Sequence, residues 1–76
     1  MTVEITSEGL LNNEGKLATA YDGDDAVTGW LMREVSGGQL QFYIRNPTGK
    51  DRSIGHGTRL DISGIEYVTN LREYVM

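Results

Sequence analysis

The chain has 76 residues, no cysteine, a single histidine and tryptophan, and a net charge of −4 from eleven acidic and seven basic side chains. That length holds one small domain, 1–76, near the size at which a lone hydrophobic core becomes marginal, and the missing cysteines close the disulfide and thiolate-metal routes to extra stability. No apolar run is long enough to cross a bilayer and the first residues, MTVEITSEG, lack the pattern of a secretory leader, so a cytoplasmic or intravirion location without a membrane partner is expected. The acids are unevenly placed. Residues 1–34 carry seven acids against two bases, whereas 35–76 carry four against five, so the first half suits a basic partner and repels nucleic acid.

In chain order, residues 2–6 alternate Val3 and Ile5 against Thr2, Glu4 and Thr6, the mark of a half-buried strand. Ser7-Glu8-Gly9 interrupts it, and the Leu10-Leu11 doublet is expected to plug the edge of the core. After the turn formers Asn12-Asn13-Glu14-Gly15, residues 16–21 (KLATAY) alternate again as a second strand, closed by the turn Asp22-Gly23-Asp24-Asp25. Residues 27–46, VTGWLMREVSGGQLQFYIRN, form the clearest signal in the chain, a β-hairpin turning at Gly37-Gly38.

Two registers are open for this hairpin. A two-residue turn sets Val35 opposite Leu40, Arg33 opposite Phe42 and Leu31 opposite Ile44, which puts a guanidinium in an apolar face. A three-residue turn beginning at Ser36 puts Trp30, Met32 and Glu34 on the face of Leu40, Phe42 and Ile44, with only Glu34 misplaced. The second register is therefore expected. In either case Tyr43 lies on the other face, accompanied by Leu31 and Val35 or by Trp30 and Met32, so that face is never fully polar and needs cover.

Residues 47–57, PTGKDRSIGHG, read as a loop, and 58–63 as a fifth strand with Leu60 and Ile62 inward. Residues 64–75 place Tyr74, Tyr67, Leu71, Val75, Val68 and Ile65 on one arc at helical spacing, and Ser63 with Glu66 has capping-box spacing, so a C-terminal helix is expected despite the strand-forming residue types. The expected fold is β-rich, all-β or small α+β. It is a twisted antiparallel sheet or partly open small barrel of five strands centred on the 27–46 hairpin, with a C-terminal helix over 64–75.

The chemical motifs are mostly negative. His56 stands near Asp51, Ser53 and Thr58, but neighbours on one loop do not make an oriented triad, and no catalysis is expected. Asp22, Asp24 and Asp25 resemble a cation loop, yet Val27 and Arg33 occupy the positions that need glycine and an acid. Thr48-Gly49-Lys50 lacks the opening glycine of a phosphate loop, and Gly55-His56-Gly57 lacks the third glycine of a dinucleotide fingerprint. No metal or cofactor is implied.

The leading expectation is a non-enzymatic protein-binding module. It would act as an adaptor or inhibitor of a protein with a basic surface, through Tyr43, Trp30 and Leu31 and the acids Asp22, Asp24 and Asp25. By composition alone, small acidic cysteine-free domains are common among phage-encoded inhibitors of host machinery. One alternative is nucleic-acid or phosphate-ligand binding through Arg45, Lys50, Arg52, His56 and Arg59. The other is a subunit of a homo-oligomer or larger self-assembly.

Overall fold

The computed structural model describes residues 2–71. Its elements are β1 (Val3–Ile5), α1 (Ser7–Asn12), β2 (Leu17–Asp22), β3 (Asp25–Ser36), β4 (Gln39–Arg45), β5 (Arg52–Ile54), β6 (Arg59–Ile62) and β7 (Ile65–Thr69). The strands form one sheet in the order β1-β7-β6-β2-β3-β4-β5, antiparallel throughout except that β1 lies parallel to β7. No helix among the described residues is long and apolar enough to cross a membrane.

Three two-residue turns make the hairpins, each with the backbone its residues favour. Gly37 and Gly38 both have positive φ (59° and 78°), as do Ser63 and Gly64 (56° and 84°), and Gly23 alone does so between β2 and β3. Paired positive φ values match the right-handed strand twist in the first two, and a leading glycine does so in the third.

The sheet is strongly curled. β7 and β5 are five places apart in the strand order, which in a flat sheet would separate them by about 24 Å. Instead the Thr69 hydroxyl donates to the carbonyl of Gly55, directly after β5, at 2.5 Å, and the Gly57 amide donates to the Thr69 carbonyl at 2.9 Å. The curl decides which residues face inward. At the centre of the sheet the concave side has room only for Ala18, Ala20 and Gly29, while Leu31, Phe42, Ile44, Ile54, Leu60 and Ile62 fill the space beneath the flanking strands. A Cβ on Gly29 would lie 2.1 Å from the Arg45 carbonyl oxygen, because β4 crosses close over β3 there.

α1 closes the concave side. Thr6 caps it, its hydroxyl oxygen accepting from the Gly9 amide, and Leu10 is wholly buried in the same cluster as Ile5. The cover expected from a C-terminal helix thus comes from the N-terminal segment, and Leu10 plugs the core as read from the sequence.

Three expectations are corrected. Residues 65–69 form β7, an environment that suits their β-branched and aromatic residues, with β6 along one edge and β1 beside Tyr67–Thr69 on the other, and Ser63 sits in a hairpin turn instead of capping a helix; residues 72–75 of the expected helix lie outside the described residues. Residues 52–54 of the expected loop form β5 against β4. The 27–46 hairpin takes the two-residue register, with Arg33 opposite Phe42 and Leu31 opposite Ile44. Arg33 is tolerated because β3 runs on past the end of β2, so that side of the strand has no paired neighbour at Arg33. There its side chain is half exposed and pairs with Glu14 at 3.2 Å.

Candidate functional site

The register fixes two outward-facing features. On the convex face, β2, β3 and β4 set Leu17, Trp30 and Arg45 in one row and Met32, Tyr43 and, on β5, Ser53 in the next. Trp30 is 47% exposed and Leu17 54% exposed, while Met32 and Tyr43 are half-buried beside them. These four side chains are contiguous by strand pairing, since Leu17 lies opposite Trp30 and Met32 opposite Tyr43. The rim of the patch is polar. Thr19 and Thr28 share a hydrogen bond of 2.8 Å along one side, Glu34 stands beyond Met32, and Asp61 lies opposite Thr19 with Glu66 outside it. Large apolar side chains point outward here for the same reason that alanines point inward, because the concave side is crowded at the centre of the curled sheet.

The sequence-derived partner surface is therefore split. Trp30 and Tyr43 come together, joined by Met32 and Leu17. Leu31 does not belong with them: it is fully buried on the concave face opposite Ile44. Asp22, Asp24 and Asp25 sit at the far end of the β2–β3 hairpin, five strand positions from Trp30, or about 17 Å. Leu17 was legible only as part of an alternating segment. The signal that would have exposed it is the pairing of Ala18 and Ala20, the two residues small enough for the crowded inner face.

The second feature is a cleft of about 400 Å³ between the β2–β3 turn and the β5–β6 connection, lined by Tyr21, Asp22, Arg52, Ser53, His56 and Arg59 among others. Three of the five basic-loop residues, Arg52, His56 and Arg59, converge on it. Arg45 and Lys50 do not: Arg45 is on the convex face opposite Trp30, and Lys50 is exposed on the 46–51 turn. Arg52 donates to Asp22 at 2.7 Å, Arg59 to Glu66 at 3.3 Å, and the His56 Nδ1 accepts from the Leu71 amide at 3.2 Å. His56 thus holds backbone, and neither Ser53 nor Thr58 is bonded to it; the Thr58 hydroxyl oxygen accepts from the Gly55 amide. No group of three acidic, histidine or cysteine side chains among the described residues is placed to hold a metal ion.

Comparison with protein-family models, with curated proteins and with solved structures finds no match to this chain.

Proposed function

We propose that the protein is a binding module, an adaptor or inhibitor, whose convex sheet face docks on a protein with a basic surface. The observation that carries this reading is the contiguous outward patch of Trp30, Leu17, Met32 and Tyr43 on a domain this small. Tryptophan and tyrosine are the side chains that most often anchor interfaces, and a small domain gains nothing for its own core by exposing its only tryptophan. The choice of a basic partner follows from the rim. On this face Glu4, Glu34, Asp61 and Glu66 outnumber Arg45 and Arg59, so approach of a basic surface is favoured and that of nucleic acid opposed.

The test uses Trp30→Lys and Tyr43→Ser, both on the outer face and both expected to leave the circular dichroism spectrum unchanged. A partner retained by the wild-type domain should be lost by both variants yet retained by Val35→Lys, which alters an equally exposed apolar residue on the ribbon tip. Binding of the purified partner should also shift the emission of Trp30 to shorter wavelength. Undiminished capture by folded Trp30→Lys would remove this face as the interface.

A further inference from the structure

We infer that the cleft between the β2–β3 turn and the β5–β6 connection, which borders the convex face at Tyr21 and Arg59 but lies apart from the Trp30–Tyr43 patch, is a binding site for a small phosphate monoester. Its volume of about 400 Å³ suits a phosphate group with a small organic body. Two guanidiniums line it, Arg52 beside Asp22 and Arg59 beside Glu66, so a phosphate dianion binds there by taking the place of a carboxylate. Each guanidinium has five N–H donors, and among the described residues each makes one contact to a carboxylate, which leaves further donors to meet phosphate oxygens.

The disposition of the Arg52–Asp22 pair favours exchange of partners. The Arg52 side chain is 29% exposed and that of Asp22 76%, so the cation is held in place by the fold while its anion stands on the solvent side. An exposed ion pair of this kind is worth about 0–1 kcal/mol, and an incoming dianion can displace the carboxylate. His56 adds a donor. Its Nδ1 accepts from the Leu71 amide, which puts the proton of the neutral ring on Nε2. The Thr58 hydroxyl oxygen already accepts from Gly55, so its own hydrogen is left to donate, and Tyr21 lines the cleft as well. A nucleic-acid strand would need a continued basic track, and Arg45 and Lys50 lie off the cleft.

The experiment is a ¹⁵N–¹H titration of the folded domain with inorganic phosphate and then phenyl phosphate, at about 0.1 M salt so that non-specific attraction is screened. Saturable shifts at Ser53, Gly57 and Thr58 are expected. Arg52→Gln should weaken binding about tenfold, and Arg59→Gln, on an exposed side chain with no part in the core, should do so even if Arg52→Gln unfolds. Asp22→Asn should tighten binding about threefold by removing the competing carboxylate, an outcome that a purely structural Arg52–Asp22 pair would not give. Lys50→Gln should change nothing. Shifts that fail to saturate, an unchanged or weakened Asp22→Asn, or a thymidine oligonucleotide without terminal phosphate binding more tightly than either probe would each overturn the assignment. Because Trp30 and Tyr43 take no part, Trp30→Lys should bind phosphate like wild type.

Discussion

Replacing Gly29 by alanine isolates the close crossing of β3 and β4. An alanine Cβ would stand 2.1 Å from the Arg45 carbonyl oxygen, 2.7 Å from its carbonyl carbon and 3.0 Å from Cγ2 of Ile44. Non-bonded heavy atoms prefer about 3.5–4.0 Å, so β4 must retreat by more than about 1 Å, and the obstacle is backbone that no rotamer change can move aside. That retreat stretches the pairing of Trp30 with Arg45 and pulls the fully buried Ile44 from its place. A ladder hydrogen bond is worth about 1 kcal/mol net and overpacking about 1–3 kcal/mol, which gives a loss near 3 kcal/mol. For a domain of this size the total stability is about 4–11 kcal/mol, so a large share disappears, and the midpoint of thermal unfolding should fall by about 12–24 °C. Urea denaturation followed by circular dichroism measures it. The matched control is Gly55→Ala, where a Cβ meets nothing within 4 Å and φ is not positive; it should stay within about 1 kcal/mol of wild type. A Gly29→Ala domain within about 0.5 kcal/mol of wild type would refute the reasoning, since the crossing could not then be as close as described.

Other substitutions probe the remaining distinctive features. Arg33→Leu should leave stability within about 1 kcal/mol, measured by urea melts, because the charge it removes is half exposed and its Glu14 partner contributes little. Thr69→Val keeps the shape of a 2%-exposed side chain but deletes its bond to the Gly55 carbonyl; a loss of about 0.5–1.5 kcal/mol is expected, with faster amide exchange at Gly57. Ser63→Gly should raise the thermal midpoint slightly, since a non-glycine residue at φ 56° carries about 1 kcal/mol of backbone strain that glycine lacks.

How far the sequence foretold this molecule depends on the scale of the signal. Alternation located β1, β2, the β3–β4 hairpin and β6 to within a residue or two, because each is half-buried and two-fold periodicity survives any tertiary context. α1 escaped: six residues give less than two turns of pattern, and Gly9 sits inside it. β5 escaped because three residues inside a glycine-rich loop are a strand only by virtue of pairing with β4. β7 matched a helical arc and still became a strand, since Tyr67 and Val68 gain more from lying between two strands than from a short helix. The register error has a definite source. Placing Arg33 opposite Phe42 is unfavourable in the middle of a sheet, but β3 extends past the end of β2 there, and how far a strand overshoots its neighbours is a property of the whole topology. The candidate sites were legible in part for the same reason. Trp30 and Tyr43, and likewise Arg52, His56 and Arg59, were identified as residues, but their grouping required the register and the curl.

The placement of β7 between β6 and β1 has a consequence for the order in which the structure can assemble. Val3 lies opposite Tyr67, Asn70 donates its amide to the Ile5 carbonyl, and Thr2 donates its hydroxyl to Glu66, so β1 is secured by residues more than sixty positions later in the chain. The β2–β3–β4 meander can form from local turns as soon as it is synthesised. The first strand cannot, and with it α1 and Leu10, the side chain that plugs the core, must wait for the last strand. Such distant pairing slows folding and leaves the concave apolar face open in the meantime. The nascent chain therefore exposes Leu31, Phe42 and Ile44 until residue 69 is available, and a chain stopped at Gly64 should keep its central hairpins while releasing its own N-terminus.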